Sequence, residues 1–146
     1  MLGPDDPVEE LIISSTMTKQ INELKQAVRN ANAASSMIQL AESASKRIAT
    51  DLTKMRGLAV HSADSTLNTE QRAELDEEFQ ELITSIGEVT EQTLWRGKKL
   101  LDGKSYPHGI KFQLDGLADN GIELFFGDLT HNSVTSLFGT ALTTLN

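Results

Sequence analysis

Between Val8 and about Ala63 the chain carries no proline and a single glycine, Gly57. Few folds accommodate so long an uninterrupted stretch, because proline and glycine are what normally end helices and turn strands. Apolar and small residues recur along it with helical spacing. Met17, Ile21, Leu24, Val28, Ala31, Ser35 and Ile38 alternate steps of four and three, and Ala41, Ser45, Ile48, Leu52, Met55 and Ala59 carry the row onward. Successive threes at Ser35, Ile38 and Ala41 resemble a stammer in a heptad pattern. The spacing predicts one helix of about 50 residues, near 75 Å if continuous. An average globular helix has roughly 10–14 residues, so this length points to a rod or a bundle. Small residues concentrate in its middle, at Ala31, Ala33, Ala34, Ser35 and Ser36. They let a neighbouring backbone approach closely, a reading favoured here over the plain helix propensity of alanine. Gly57 costs roughly 1 kcal/mol relative to alanine inside a helix and marks a bend or a close contact.

Ser62 to Asn68 is a short polar break. Asn68 is a good N-cap, with Gln71 as its capping-box partner, and Glu70, Glu74 and Asp76 suit the positive start of a helix. A second stripe follows at Leu75, Phe79, Leu82, Ile86 and Val89, and this helix is expected to run to about Leu94. The two stripes should face each other across an antiparallel helical hairpin. Arg96-Gly97 and Asp102-Gly103 then interrupt the pattern. Ile110, Phe112 and Leu114 alternate with polar residues, as do Ile122 and Leu124, which predicts two strands joined through Asp119-Asn120-Gly121. The fold class is therefore mainly α with a small β-hairpin: a long, rod-like helical hairpin followed by the β-hairpin. Residues 1–7 read as a lead-in whose opening Met1-Leu2-Gly3-Pro4 looks foreign to the native chain. Residues 8–103 read as the helical rod domain (helices about 8–62 and 69–94), 104–128 as the β-hairpin, and 129–146 as a weakly patterned tail with a short helix near Leu142 or a frayed end.

Composition and motifs exclude most chemistry. The 146 residues suit one domain, yet apolar residues make up only 38%, with one Trp and one Tyr, as narrow-seamed helices require. The net charge is -8 and no stretch concentrates cations, which argues against nucleic acid. There are no cysteines for disulfides or thiolate metal sites. No run approaches the roughly 20 apolar residues of a membrane span, and Leu11-Ile12-Ile13 is far too short for a signal-peptide core. His61, His108 and His131 are scattered and lack metal-ligand spacing. The carboxylates Glu74, Asp76, Glu77, Glu78 and Glu81 read as a solvated helix face rather than an acid–base pair. Ser14-Ser15 and Ser35-Ser36 have no histidine partner, and Gly97 and Gly103 form no phosphate loop. No catalytic, cofactor or metal site is expected.

One inference from the residues matters most. The first helix outreaches the second about twofold, and a two-helix hairpin leaves much of a roughly 100°-wide stripe uncovered. The first half of the long helix then has no partner in this chain, and something else must cover Met17, Ile21, Leu24 and Val28. The residues expected to pack or assemble are these four with Ile38, Ile48, Leu52, Met55, Leu75, Phe79, Leu82, Ile86 and Val89.

Several stretches resemble the N-terminal half of bacterial flagellin. They are Met17-Thr18-Lys19-Gln20-Ile21, Arg29-Asn30-Ala31-Asn32, Ile38 to Ala44, Met55-Arg56-Gly57-Leu58-Ala59-Val60 with Ser62-Ala63, and Thr93 to Gly103. The corresponding flagellin forms are roughly RNAND, SLAQTAEGA, RELAVQSAN and QTxFNGxKLL. Asp5-Asp6-Pro7 followed by Leu11-Ile12-Ile13-Ser14 also matches, apart from one extra residue. The resemblance spans about Asp5 to Gly127, and its specificity lies in the order and spacing of the pieces. It implies a structural, non-enzymatic protein whose helical rods pack as coiled coils around a central channel to build the filament that serves motility. It implies export through the flagellar export apparatus without a cleaved signal peptide, and an extracellular location. Partners would be other flagellin subunits, that apparatus, and an animal flagellin-sensing Toll-like receptor, with no nucleic acid and no membrane insertion. The extreme N-terminal segment and C-terminal helices of the family are expected to lie outside this chain, leaving it unable to build a normal filament alone. The candidate receptor-facing surface is Lys54, Leu58, His61 and Glu78. Leu58 and Glu78 keep family-type residues. Lys54 stands where the family has arginine, which weakens a bidentate contact, Gly57 replaces an acidic residue, and His61 replaces glutamine. The alternatives are a hook–filament junction protein and a non-polymerising, flagellin-like interaction or regulatory protein. The QTLWRGKKLLDG stretch and the RNAN segment favour filament flagellin.

Overall fold

A computed structural model describes residues 7–114, 121–130, 132, 133 and 136, with side chains from residue 10 onward. The helix α1 runs Pro7–Ser62 and α2 runs Thr69–Gln92. Short strands follow: β1 Leu94–Trp95 pairs antiparallel with β2 Lys98–Lys99, and β3 Ile110–Gln113 pairs antiparallel with β4 Gly121–Leu124. The mainly α reading, a helical hairpin with small antiparallel strand pairs, holds. The tail's expected helix near Leu142, the lead-in before Pro7, and the turn before Gly121 lie outside the described residues.

Along α1 several hydroxyl side chains bond back to the helix's own carbonyls. Thr16, Thr18, Ser36, Thr50 and Thr53 each donate to the carbonyl four residues back, so their polar atoms are satisfied within the helix itself. The chain forms two compact units, Met1–Ser36 with Ile110–Leu124, and Met37–Gly109 with Phe125–Asn146.

In the second unit, α1 buries Met37, Ala41, Ala44, Ile48 and Met55, and α2 buries Phe79, Ile83, Ile86, Val89 and Thr90. Ser85 Oγ donates to Asp51 Oδ2, while Arg72 Nη1 donates to the Ser62 carbonyl. These bonds join residues whose numbers sum to 136 and 134, which is an antiparallel register. On it, Gln92 at the end of α2 lies opposite about residue 43 of α1. The connecting turn is built locally. Arg72 Nη2 also reaches the Asp64 carbonyl at 2.9 Å, placing a guanidinium on carbonyls at the negative end of α1. Asn68 and Gln71 form the expected capping box, with bonds of 2.8 and 3.1 Å.

Where the sequence placed the end of α2 near Leu94, the helix stops at Gln92 and Thr93 caps it, its N–H and hydroxyl both donating to the Val89 carbonyl. Leu94 then enters a second hairpin that the pattern had not revealed. Arg96 and Gly97 form its two-residue turn with φ of 50° and 81°, the left-handed pair that matches the twist of antiparallel strands. The Leu100 N–H donates to the Thr93 carbonyl at 2.9 Å, and Leu100 and Leu101 are both buried. Beyond them Asp102 pairs with Asp128 in an antiparallel bridge and the Leu129 N–H donates to the Leu101 carbonyl. Gly103, at φ +61°, passes so close that a Cβ there would lie 2.6 Å from Asp128 Cβ.

In the first unit β3 and β4 pair in register from Ile110 with Leu124 to Gln113 with Gly121. Ile110, Phe112, Ile122 and Leu124 share one face, as the alternation predicted, and Lys111 stands opposite Glu123 on the other. A side chain at Gly121 would meet Lys111 Cε at 2.9 Å and the Phe112 carbonyl at 3.1 Å. Asn30 Nδ2 donates to the Gln113 carbonyl at 2.6 Å, which docks this hairpin on α1.

Candidate functional site

The expected seam divides into two groups. Ile48, Met55, Phe79, Ile86 and Val89 are buried in the helical hairpin, and Leu52, Leu75 and Leu82 are half-buried beside them. Met17, Ile21, Leu24 and Val28 are 50–64% exposed, and Ile38 is exposed as well.

The physical reason is a difference of phase. In the first unit the shielded positions of α1 are Glu23, Ala27, Asn30 and Ala34, spaced three and four apart, with Ala33 beside them. The exposed row Leu24, Val28, Ala31 and Ser35 runs one residue out of step with them, about 100° further round the helix. The bond from Asn30 to Gln113 puts the β3–β4 hairpin on the first face, not the second. Part of the first half of α1 therefore does have a partner within the chain, contrary to the expectation that it has none, while the Met17–Val28 row stays open. The apparent stammer dissolves in the same way. Ala34, Met37, Ala41, Ala44, Ile48 and Met55 follow an unbroken heptad register, and Ser35, Ile38 and Ser45 lie off it. The small residues contribute through Ala34, Ala41 and Ala44, whereas Ala31, Ser35 and Ser36 are exposed.

Ile21, Leu24, Lys25, Val28 and Arg29 line an open, largely apolar groove on this face. Its flank is ordered by hydrogen bonds. Arg29 donates twice to Gln26 Oε1, at 2.6 and 3.1 Å, and Gln26 Nε2 donates to Asn30 Oδ1. Lys19 and Glu23 form an exposed ion pair at 3.8 Å. The open row is thus an apolar strip with a cationic margin at Lys25 and Arg29. Leu11, Ile12 and Ile13 extend the exposed apolar surface toward the start of the helix.

Of the candidate receptor-facing residues, Lys54, His61 and Glu78 are exposed and Leu58 is half-buried. The hairpin register sets Leu58 and Glu78 at the same level. Sequence reading missed Met37, Ile83, Leu100 and Leu101 as buried residues.

Titratable groups with displaced pKa values lie in turns and on helix surfaces. Burial raises the Asp102 carboxyl, but donors from Ser105 and Lys104 outweigh it and leave the value lowered. Hydrogen bonds from Thr66 lower Asp64, those from Thr130 lower Asp128, and Lys46 lowers Glu42. Each shift has a local structural cause, and none sits in a cleft where a displaced pKa would mark acid–base chemistry. Among the described residues no side chains are grouped to hold a metal ion, and no helix is long and apolar enough to cross a membrane.

Comparison with known proteins gives the family. Residues 3–106 match the family described as the bacterial flagellin N-terminal helical region. A flagellin of Halalkalibacterium halodurans is 39% identical over 97 residues, covering 66% of this chain and 36% of the relative. Flagellin A of Vibrio anguillarum is 39% identical over 98 residues, covering 67% of this chain and 26% of the relative. Flagellin E of Vibrio cholerae is 30% identical over 129 residues, covering 88% of this chain and 34% of the relative. The matched stretch thus spans about a quarter to a third of the length of these relatives.

Proposed function

This chain belongs to the bacterial flagellin family, and we propose that it forms the helical core of a flagellar filament subunit, structural rather than catalytic. On this reading residues 8–103 act as the rod. Copies of the chain pack side by side through α1, in an extracellular filament that serves motility. The supporting observation is the open row Met17, Ile21, Leu24 and Val28, each at least half exposed on a helix whose other face is occupied. Apolar surface left in water favours association, because burying apolar area gains roughly 25 cal/mol per Å². Export through the flagellar apparatus without a cleaved signal, and recognition of Lys54, Leu58, His61 and Glu78 by a flagellin-sensing Toll-like receptor, are the further partners of this reading.

Static and dynamic light scattering over a wide concentration range tests it. The expected result is concentration-dependent self-association that Leu24→Ser with Val28→Ser reduces. A well-folded monomer at every concentration overturns the assembly reading and favours a non-polymerising interaction protein of the same family.

A further inference from the structure

One position in the seam of the second unit breaks the apolar rule. The buried residues of α1 at Met37, Ala41, Ala44, Ile48 and Met55 call for another core residue at 51. The residue there is Asp51, its side chain only 14% exposed. Its Oδ2 accepts a hydrogen bond from Ser85 Oγ at 3.0 Å, and its Oδ1 faces Lys54 Nζ at 4.0 Å on the same helix. A carboxylate in a helix seam bears a desolvation cost that an apolar side chain avoids. Stability alone does not account for it.

The opposite helix supplies the reason. Steps of three and four from Ser85 along its row of α2 lead to Glu88, Glu81, Glu78 and Glu74, all exposed carboxylates. Two antiparallel helices with heptad seams have alternative registers, displaced by three, four or seven residues, that preserve most apolar contacts. Such displacements bring Glu88, Glu81 or Glu78 opposite Asp51 and set two carboxylates together in a half-buried site, or bring Leu82 or Val89 there and leave the carboxylate facing an apolar side chain with no hydrogen-bond donor. The other seven-residue slip offers Gln92, but it moves the turn into the start of α2 and dismantles the capping box of Asn68 and Gln71. Only the native register gives Asp51 a neutral hydroxyl donor with the cap intact.

We propose that Asp51 and Ser85 form a register lock, in which a carboxylate at a core position accepts one neutral partner and the acidic or apolar neighbours of that partner exclude the slipped hairpins. The lock rests on the hairpin itself and is independent of the filament reading.

The chain has no cysteine, so Thr50→Cys with Thr84→Cys provides two exposed spin-label sites at the same level of the hairpin in the full chain. Pulsed electron paramagnetic resonance should give one narrow distance in the native background. Asp51→Leu should remain folded in urea titration, with an equal or higher midpoint, while its distance distribution broadens or splits. Ser85→Glu should lower the urea midpoint well beyond Ser85→Ala, which only removes the hydrogen bond. Adding Asp51→Asn to Ser85→Glu should recover the midpoint, because an amide donates to the new carboxylate. A single unchanged distance in Asp51→Leu overturns the lock. So does a Ser85→Glu midpoint equal to that of Ser85→Ala, or a Ser85→Glu defect that Asp51→Asn does not relieve.

Discussion

The row of α1 at Met17, Ile21, Leu24 and Val28 carries larger aliphatic side chains on average than the row from Met37 to Met55, yet it is the second that is hidden. Met17, Ile21, Leu24 and Val28 are half exposed or more, while Met37, Ala41, Ala44, Ile48 and Met55 are at most 7% exposed, and two of these five are alanines. Hydrophobic spacing identifies a helix and its faces. Which face is shielded depends on what lies opposite, and α2 runs out opposite about residue 43. Ala41 and Ala44 sit on the shielded row, whereas large aliphatic residues occupy the open one.

The contrast yields a graded set of tests. Phe79, 5% exposed in the hairpin seam, should show the largest effect: Phe79→Ala lowers stability by about 3–5 kcal/mol in urea unfolding. An unchanged midpoint would remove Phe79 from the core and erase the distinction between the shielded and open rows. Gly103→Ala should cost about 1–3 kcal/mol by crowding, since its φ of +61° and the 2.6 Å approach to Asp128 Cβ leave no room for a methyl group. A neutral result would mean that the Asp102–Asp128 clasp adds nothing to the shielded side. Arg96→Asn should act in the opposite direction. A left-handed arginine bears a strain of roughly 1–2 kcal/mol, asparagine tolerates that conformation better, and the thermal midpoint should rise slightly.

A smaller effect is expected in acid. Asp102 has a folded pKa below its ordinary value of 3.8. The charged carboxylate therefore stabilises its loop above that value, and the contribution is lost as pH falls through the lowered one. Amide exchange at Lys104 and Ser105 should accelerate in that window and be unaffected near neutrality. The smallest effect belongs to the open row. Leu24→Ser should change the unfolding free energy by no more than about 0.5 kcal/mol, despite altering a residue as apolar as any in the core. A large loss would show that the open row is shielded in solution, and the comparison would fail.

Much of the fold was legible in the sequence because local rules agreed. The absence of proline, the Asn68–Gln71 cap and the alternation around Phe112 each specify one outcome. The phase of α1 was not legible. Two heptad rows one residue apart run along it, and hydropathy ranks Ile38 above Ala34 or Ala41 although burial is the reverse. The β1–β2 hairpin was hidden because Arg96 stands where a left-handed turn favours asparagine, so the Asn-Gly signature is absent. The resemblance motif QTxFNGxKLL carries that asparagine and was the one available signal. Leu100 and Leu101 lie in irregular backbone, where no period exists to mark them as core. The sequence marked Met17, Ile21, Leu24 and Val28 as a row left uncovered, and they are exposed, but it did not reveal the β3–β4 hairpin on the neighbouring face.

The turn joining α1 to α2 has a kinetic consequence. Its polar ties reach from Arg72 back to Ser62 and from Ser85 back to Asp51, separations of 10 and 34 residues. Little loop-closure entropy opposes so local a nucleus. A thread drawn straight and then released recovers this element quickly, on the order of the microsecond-to-millisecond range of helical folds, before any strand pairing downstream is needed.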